Sequence, residues 1–89
     1  MSERRATVKS AVGLHARPAA LFSQAAAATG VAVTLTRGDG TSVNAASILG
    51  VLSLGIAHGD EVTLSADGNG AEEALDSLAS LLATDLDAD

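Results

Sequence analysis

His15 lies two residues before Arg17 and three before Pro18, within Gly13-Leu14-His15-Ala16-Arg17-Pro18-Ala19. An imidazole nitrogen is a nucleophile and proton acceptor near neutral pH, and a guanidinium can grip two oxygens of one anion. The pair points to reversible handling of a phosphoryl group. Pro18 adds a positional signal, because proline is tolerated in the first turn of a helix, where its missing N–H costs little. A helix beginning beside His15 aims its first unpaired N–H groups, those of Ala16 and Arg17, and the positive end of its dipole at one place. The helix end and Arg17 both disfavour the imidazolium, which leaves a ring nitrogen free to attack phosphorus. The dianion so formed meets N–H donors and a guanidinium. A dipole–anion contact contributes only about 0.3–1 kcal/mol when exposed, which suits a group that must be passed on. A lone His at a helix start is more often a surface cap. The heptapeptide as a whole carries the chemical reading.

The elements around it follow from patterning. Residues 6–10 alternate small or apolar with polar side chains and predict a first strand. Residues 12–15 form a loop, and an alanine-rich helix runs over 16–28, closed by Thr29 and a left-handed Gly30. Val31, Val33 and Leu35 alternate with Ala32, Thr34 and Thr36 as a half-buried strand. Residues 37–40 turn the chain, and 41–44 return as the partner of a hairpin. Residues 47–54 read as a short apolar helix ending near Gly55, and 61–66 as a strand with Val62 and Leu64 on one face. Asn69 is placed to cap the last helix, with Glu72 in capping-box spacing. Leu75, Leu78 and Leu82, flanked by Ala71 and Leu81, make one apolar stripe. The order is βαββαβα, an α+β two-layer domain with an antiparallel sheet covered on one face by helices. Residues 1–89 make a single domain, with 84–89 expected to fray as an acidic tail.

Composition removes several function classes. The chain has no cysteine, one Phe and neither Tyr nor Trp, so disulfides and thiolate metal sites are out and the core is aliphatic. All five basic residues fall in the first 37 positions beside a single acid, Glu3; residues 38–89 hold ten acids and no base. Such a balance argues against nucleic acid as partner. No signal-like or membrane-spanning run is visible, which places the chain in the cytosol without membrane insertion. His58 has acids nearby but no supporting ligand set, so no metal is expected and His58 reads as an exposed loop residue. Arg37-Gly38-Asp39 reads as turn chemistry, and Gly68-Asn69-Gly70 as a turn rather than a nucleotide loop.

The motifs resemble the histidine-containing phosphocarrier family HPr of the bacterial phosphoenolpyruvate–sugar phosphotransferase system. Residues 13–19 carry the resemblance, together with Val43-Asn44-Ala45-Ala46-Ser47-Ile48-Leu49-Gly50-Val51-Leu52-Ser53-Leu54-Gly55 and the element order, so it spans essentially the whole chain. It implies an open-faced sandwich, a four-stranded antiparallel sheet under three helices. It also implies that His15 takes phosphate on Nδ1 from phosphorylated enzyme I and passes it to IIA domains of sugar permeases, Arg17 neutralising charge during transfer. No cofactor and no independent turnover are implied, and the protein is expected to act as a monomer.

In residues 47–54, Ile48, Leu52 and Leu49 cannot all face the same way as Val51 and Leu54, which leaves two readings open from periodicity: part of the apolar set is exposed as a partner site, or all of it is core in a compact aliphatic domain. The resemblance assigns Leu49, Leu52 and Ile48 to docking. Ser47 matches the family's regulatory serine and equally reads as an N-cap hydroxyl. Ala46, Ala27 and Gly50 stand where regulated members often carry basic residues, which argues against regulation at Ser47 and for docking through apolar contact and Arg17. Two alternatives share the fold: a regulatory binding module that transfers nothing, which would dispense with the His, and a nitrogen-branch phosphocarrier. A hydrolase or metalloenzyme lacks a base, a nucleophile pair and a ligand set.

Overall fold

A computed structural model describes residues 2–9 and 16–83. The elements in chain order are β1 (Ser2–Thr7), α1 (Ala16–Ala28), β2 (Val33–Arg37), β3 (Ser42–Asn44), α2 (Ile48–Ser53), β4 (Glu61–Ala66) and α3 (Ala71–Leu82). The strands form one antiparallel sheet in the order β1-β4-β2-β3, so β4, the last strand in sequence, lies between the first two. The fold is the expected α+β open-faced sandwich.

Alternation divides the sheet into a covered and an open face. Ala6, Val33, Leu35, Val62, Leu64 and Ala66 are buried on the covered side. They meet Ala19, Phe22 and Ala26 of α1, Val51 of α2, and Ala71, Ala74, Leu75, Leu78 and Leu82 of α3 in one core. Along α1 the spacing is three and four residues, and along α3 the buried positions fall in the same helical period, one stripe per helix. The open face carries Thr34, Thr36, Ser42, Asn44, Thr63 and Ser65. There Thr36 and Ser42, opposite each other in register, share a hydroxyl hydrogen bond of 2.9 Å.

β1 starts earlier than the alternation at 6–10 predicts and ends at Thr7; Ser10 lies outside the described residues. Charge at positions 3–5 hid the strand. Glu3 and Arg5 are exposed, whereas Arg4 lies on the helix side, its Nε and Nη2 each 2.7 Å from Asp76 and Glu72 of α3. Those contacts fasten α3 over an edge strand, and a charge of this kind on an edge also discourages strand addition. The ladder runs on through Val8, whose N–H donates to Asp60 and whose carbonyl accepts from Gly59. Lys9 N–H then donates to the Leu82 carbonyl at 3.0 Å, tying the chain that leads toward residue 15 to the end of α3.

The start of α3 departs from the expected capping box. Its N-cap is Gly70, at a left-handed φ of 84°, with no side-chain cap. Ala71 N–H closes a backbone turn onto Gly68, and Ala74 N–H bonds the Gly70 carbonyl at 2.9 Å. Glu72 serves Arg4 and Ser2 rather than a cap. Helix α1 matches its predicted bounds, with Gly30 left-handed beyond its end.

Candidate functional site

α1 begins at Ala16, the residue after His15; His15 itself, with the preceding residues 10–14, lies outside the described residues. The N–H groups of Ala16 and Arg17 belong to the first turn and have no acceptor within the helix. Arg17 is exposed, whereas Pro18 and Ala19 are buried. The helix start is therefore pinned by Pro18 and Ala19 while Arg17 stays in solvent. The same helix shows Leu21 one turn beyond Arg17, 41% exposed although large and apolar.

α1 packs against α2. Ser47 N-caps α2, its Oγ accepting from Gly50 N–H at 3.1 Å, as the hydroxyl reading predicted. Gly50 is needed for seating as well: a Cβ there would lie 3.2 Å from Val43 Cβ and 3.3 Å from Ser47 Oγ, so the helix rests almost directly on β3. Val51 and Leu54 are fully buried, while Leu49 is 77%, Ile48 39% and Leu52 37% exposed. The split is the one the resemblance favoured, with Leu49, Leu52 and Ile48 outward and Val51 and Leu54 inward. Leu21 was missed because it sits in an alanine-rich helix with few large residues to mark its faces. The exposed large apolar residues are these four, all on α1 and α2, among the described residues.

Charge near this patch is sparse. Of the arginines besides Arg17, Arg4 is bound by Glu72 and Asp76, Arg5 lies 3.7 Å from Glu61, and Arg37 is paired with Asp39. Arg4 holds the Glu72 carboxyl below its usual range, chiefly by hydrogen bonding and then by charge. Arg37 does the same to Asp39, well below the usual carboxylate range, with the Thr41 N–H adding to the effect.

The Arg37-Gly38-Asp39 turn does more than reverse the chain. One arm of the Arg37 guanidinium donates to the carbonyl of Leu54, the C-cap of α2, and the other binds Asp39. Asp39 Oδ1 in turn accepts from Thr41 N–H at 2.9 Å. Seventeen residues separate Arg37 from Leu54, so only the pairing of the strands brings them together. His58 is exposed, and no three acidic or histidine residues converge as a metal site among the described residues. No helix is long and apolar enough to cross a membrane among the described residues.

Comparison with known proteins bears on residues 2–84, which match the family model described as the PTS HPr component phosphorylation site. The chain is 55% identical over 87 residues to the phosphocarrier protein HPr of Streptomyces coelicolor, covering 98% of this chain and 94% of that one. It is 47% identical over 79 residues to the HPr-like protein Crh of Bacillus subtilis, covering 89% and 92%. Among solved structures, the phosphocarrier protein HPr from Bacillus anthracis superposes with a TM-score of 0.86 at 42% identity, over 91% of this chain and 95% of that one.

Proposed function

The chain belongs to the HPr family of phosphotransferase-system phosphocarriers, and from that premise we propose that His15 Nδ1 accepts a phosphoryl group from phosphorylated enzyme I and donates it to IIA domains of sugar permeases. The observation that carries this reading is the family match over residues 2–84, supported by the start of α1 at Ala16, the residue that follows His15 in the chain.

The chemistry needs little else. The Nδ1 lone pair forms a new N–P bond as the donor's bond to phosphorus breaks, so the group moves without water or a cofactor. The positive end of α1 and Arg17 disfavour a protonated ring before transfer. Afterwards the N–H groups of Ala16 and Arg17, with the Arg17 guanidinium, offset the dianion's charge. None of these is a deep clamp, so the reverse step toward an acceptor stays open. The exposed Leu49, Leu52 and Ile48 meet the donor and then the acceptor in turn, and Leu21 extends that surface on α1. The protein works in the cytoplasm, one copy at a time.

Ser47 is already engaged as the N-cap of α2. A phosphate on it would add negative charge beside Ile48 and Leu49, and neither Ala46 before it nor Gly50 after it is a basic residue that could receive it.

Incubation with phosphoenolpyruvate, Mg²⁺ and enzyme I should place an acid-labile phosphate on the wild-type protein and none on His15→Ala. Failure of the wild type to label beside a competent enzyme I sinks the reading. Recovery of transcriptional regulators, but no phosphotransferase components, in a pull-down would favour a regulatory module instead.

A further inference from the structure

Helix α2 has six residues, far short of the length at which a helix stands alone in water. Its order comes from what holds its ends and its buried side. Val51 anchors the middle and Leu54 follows the last turn, both buried. The first end is held by the Ser47 hydroxyl. At the other end the Leu54 N–H bonds back to Val51 and the Gly55 N–H to Leu52, both at 3.2 Å, a last turn closed by three-residue bonds that leave the Leu54 carbonyl outside the helix ladder. The Leu54 carbonyl looks out of that turn, and the side chain that meets it is Arg37.

Arg37 is well placed to act as a fixed post. It ends β2, a strand paired on both sides, with β4 and with β3. Its backbone closes the hairpin turn, the N–H donating to Thr41 and the carbonyl accepting from Gly40, both at 2.9 Å. Its second guanidinium arm is held by Asp39, which Thr41 N–H holds in turn. A cation at the carbonyl end of a helix also has the favourable sign. The two arms need the planar fork of arginine, which a single ammonium does not reproduce.

We infer that Arg37 is a positioning residue for docking: by bridging the hairpin turn to the Leu54 carbonyl it fixes the C-terminal end of α2, so that Leu49 and Leu52 are presented as one ordered surface. The inference rests on the reading that α2 docks partner proteins. Leu49 packs against so little of its own chain that it cannot orient the helix itself. Without Arg37 the last turn frays, and each partner has to order it on binding.

The test uses the full chain as the phosphoryl acceptor of enzyme I, with hydrogen exchange of the α2 amides measured in parallel. Arg37→Ala should raise KM about three- to tenfold with kcat unchanged, and speed exchange at Leu52 and Leu54 while β4 amides keep their protection. Arg37→Lys should recover part of the loss, and Asp39→Ala should give a smaller rise. In a Leu49→Ala background the Arg37→Ala effect on KM should shrink, because both act through one surface. Leu78→Val, a destabilising change on α3, should leave KM alone. Unchanged α2 exchange in Arg37→Ala overturns the inference, as does an effect fully additive with Leu49→Ala or one confined to kcat. A wild type that accepts no phosphate overturns the phosphocarrier reading instead, and the exchange experiment still decides whether Arg37 fixes α2.

Discussion

Replacing Leu49 by alanine separates docking from folding, because Leu49 is 77% exposed while Val51, two residues on in the same helix, is fully buried. Burying a whole leucine side chain contributes about 1.5–3 kcal/mol. A partner that covers Leu49 gains roughly three quarters of that, about 1–2 kcal/mol, or about a five- to thirty-fold rise in KM for Leu49→Ala. Where dissociation outruns the chemical step, KM reports the dissociation constant itself. The folded chain, by contrast, forfeits only the remaining quarter, about 0.4–0.7 kcal/mol, less what alanine returns in helix propensity. At about 4–8 °C per kcal/mol for a domain this small, the midpoint moves by about 1–4 °C. Val51→Ala should do the reverse, costing about 2 kcal/mol and about 8–16 °C while altering KM little at temperatures where it stays folded. Phosphotransfer kinetics from enzyme I and thermal unfolding by circular dichroism, run on both variants, read the two effects apart. An unchanged KM in Leu49→Ala, or a larger midpoint loss there than in Val51→Ala, refutes the assignment of this face to docking.

Other expectations follow from the same contacts. Ser47→Ala removes the hydroxyl that accepts from Gly50 N–H and should lower the midpoint by about 4–8 °C, the effect of about 1 kcal/mol of capping. Ser47→Asp keeps an acceptor at the cap and so most of the stability, but sets a carboxylate beside Ile48 and should raise KM. Phe22→Ala, at the one aromatic residue of the core, should cost about 3–5 kcal/mol in urea unfolding. Arg17→Ala should slow transfer about tenfold or more, with Arg17→Lys recovering part through its charge. Glu72 titrates below its usual value of 4.5 in the folded chain. Its share of stability is therefore present above pH 4.5 and lost as pH falls through the lowered folded value. Asp39 behaves alike. Acid unfolding of Glu72→Gln should accordingly show a shallower pH dependence below pH 4.5 than the wild type, and an identical profile refutes the linkage.

Local physics was enough to read α1, β4 and the leucine stripe of α3 from the sequence. Each depends on periodicity within a few residues, as with Val62 and Leu64 alternating in β4 or Leu75, Leu78 and Leu82 along α3. The start of α1 was likewise legible, since Arg17-Pro18 marks a helix start in the chain itself. The exceptions are places where a distant residue changes what a local signal means. The charged stretch at positions 3–5 reads as a tail until α3 supplies Glu72 and Asp76 to receive Arg4, and then it is a strand. The same pairing withdraws Glu72 from the capping box that Asn69 seemed to announce, and a left-handed Gly70 starts the helix instead. Arg37 spells a turn in sequence. Only β2, placed between β3 and β4, brings its guanidinium to the carbonyl of Leu54. Local patterns mark where these elements lie and which face they bury, whereas contacts between residues seventeen to seventy-two apart settle how β1, α2 and α3 are held. That second kind of information lies in long-range pairing, which no local period encodes.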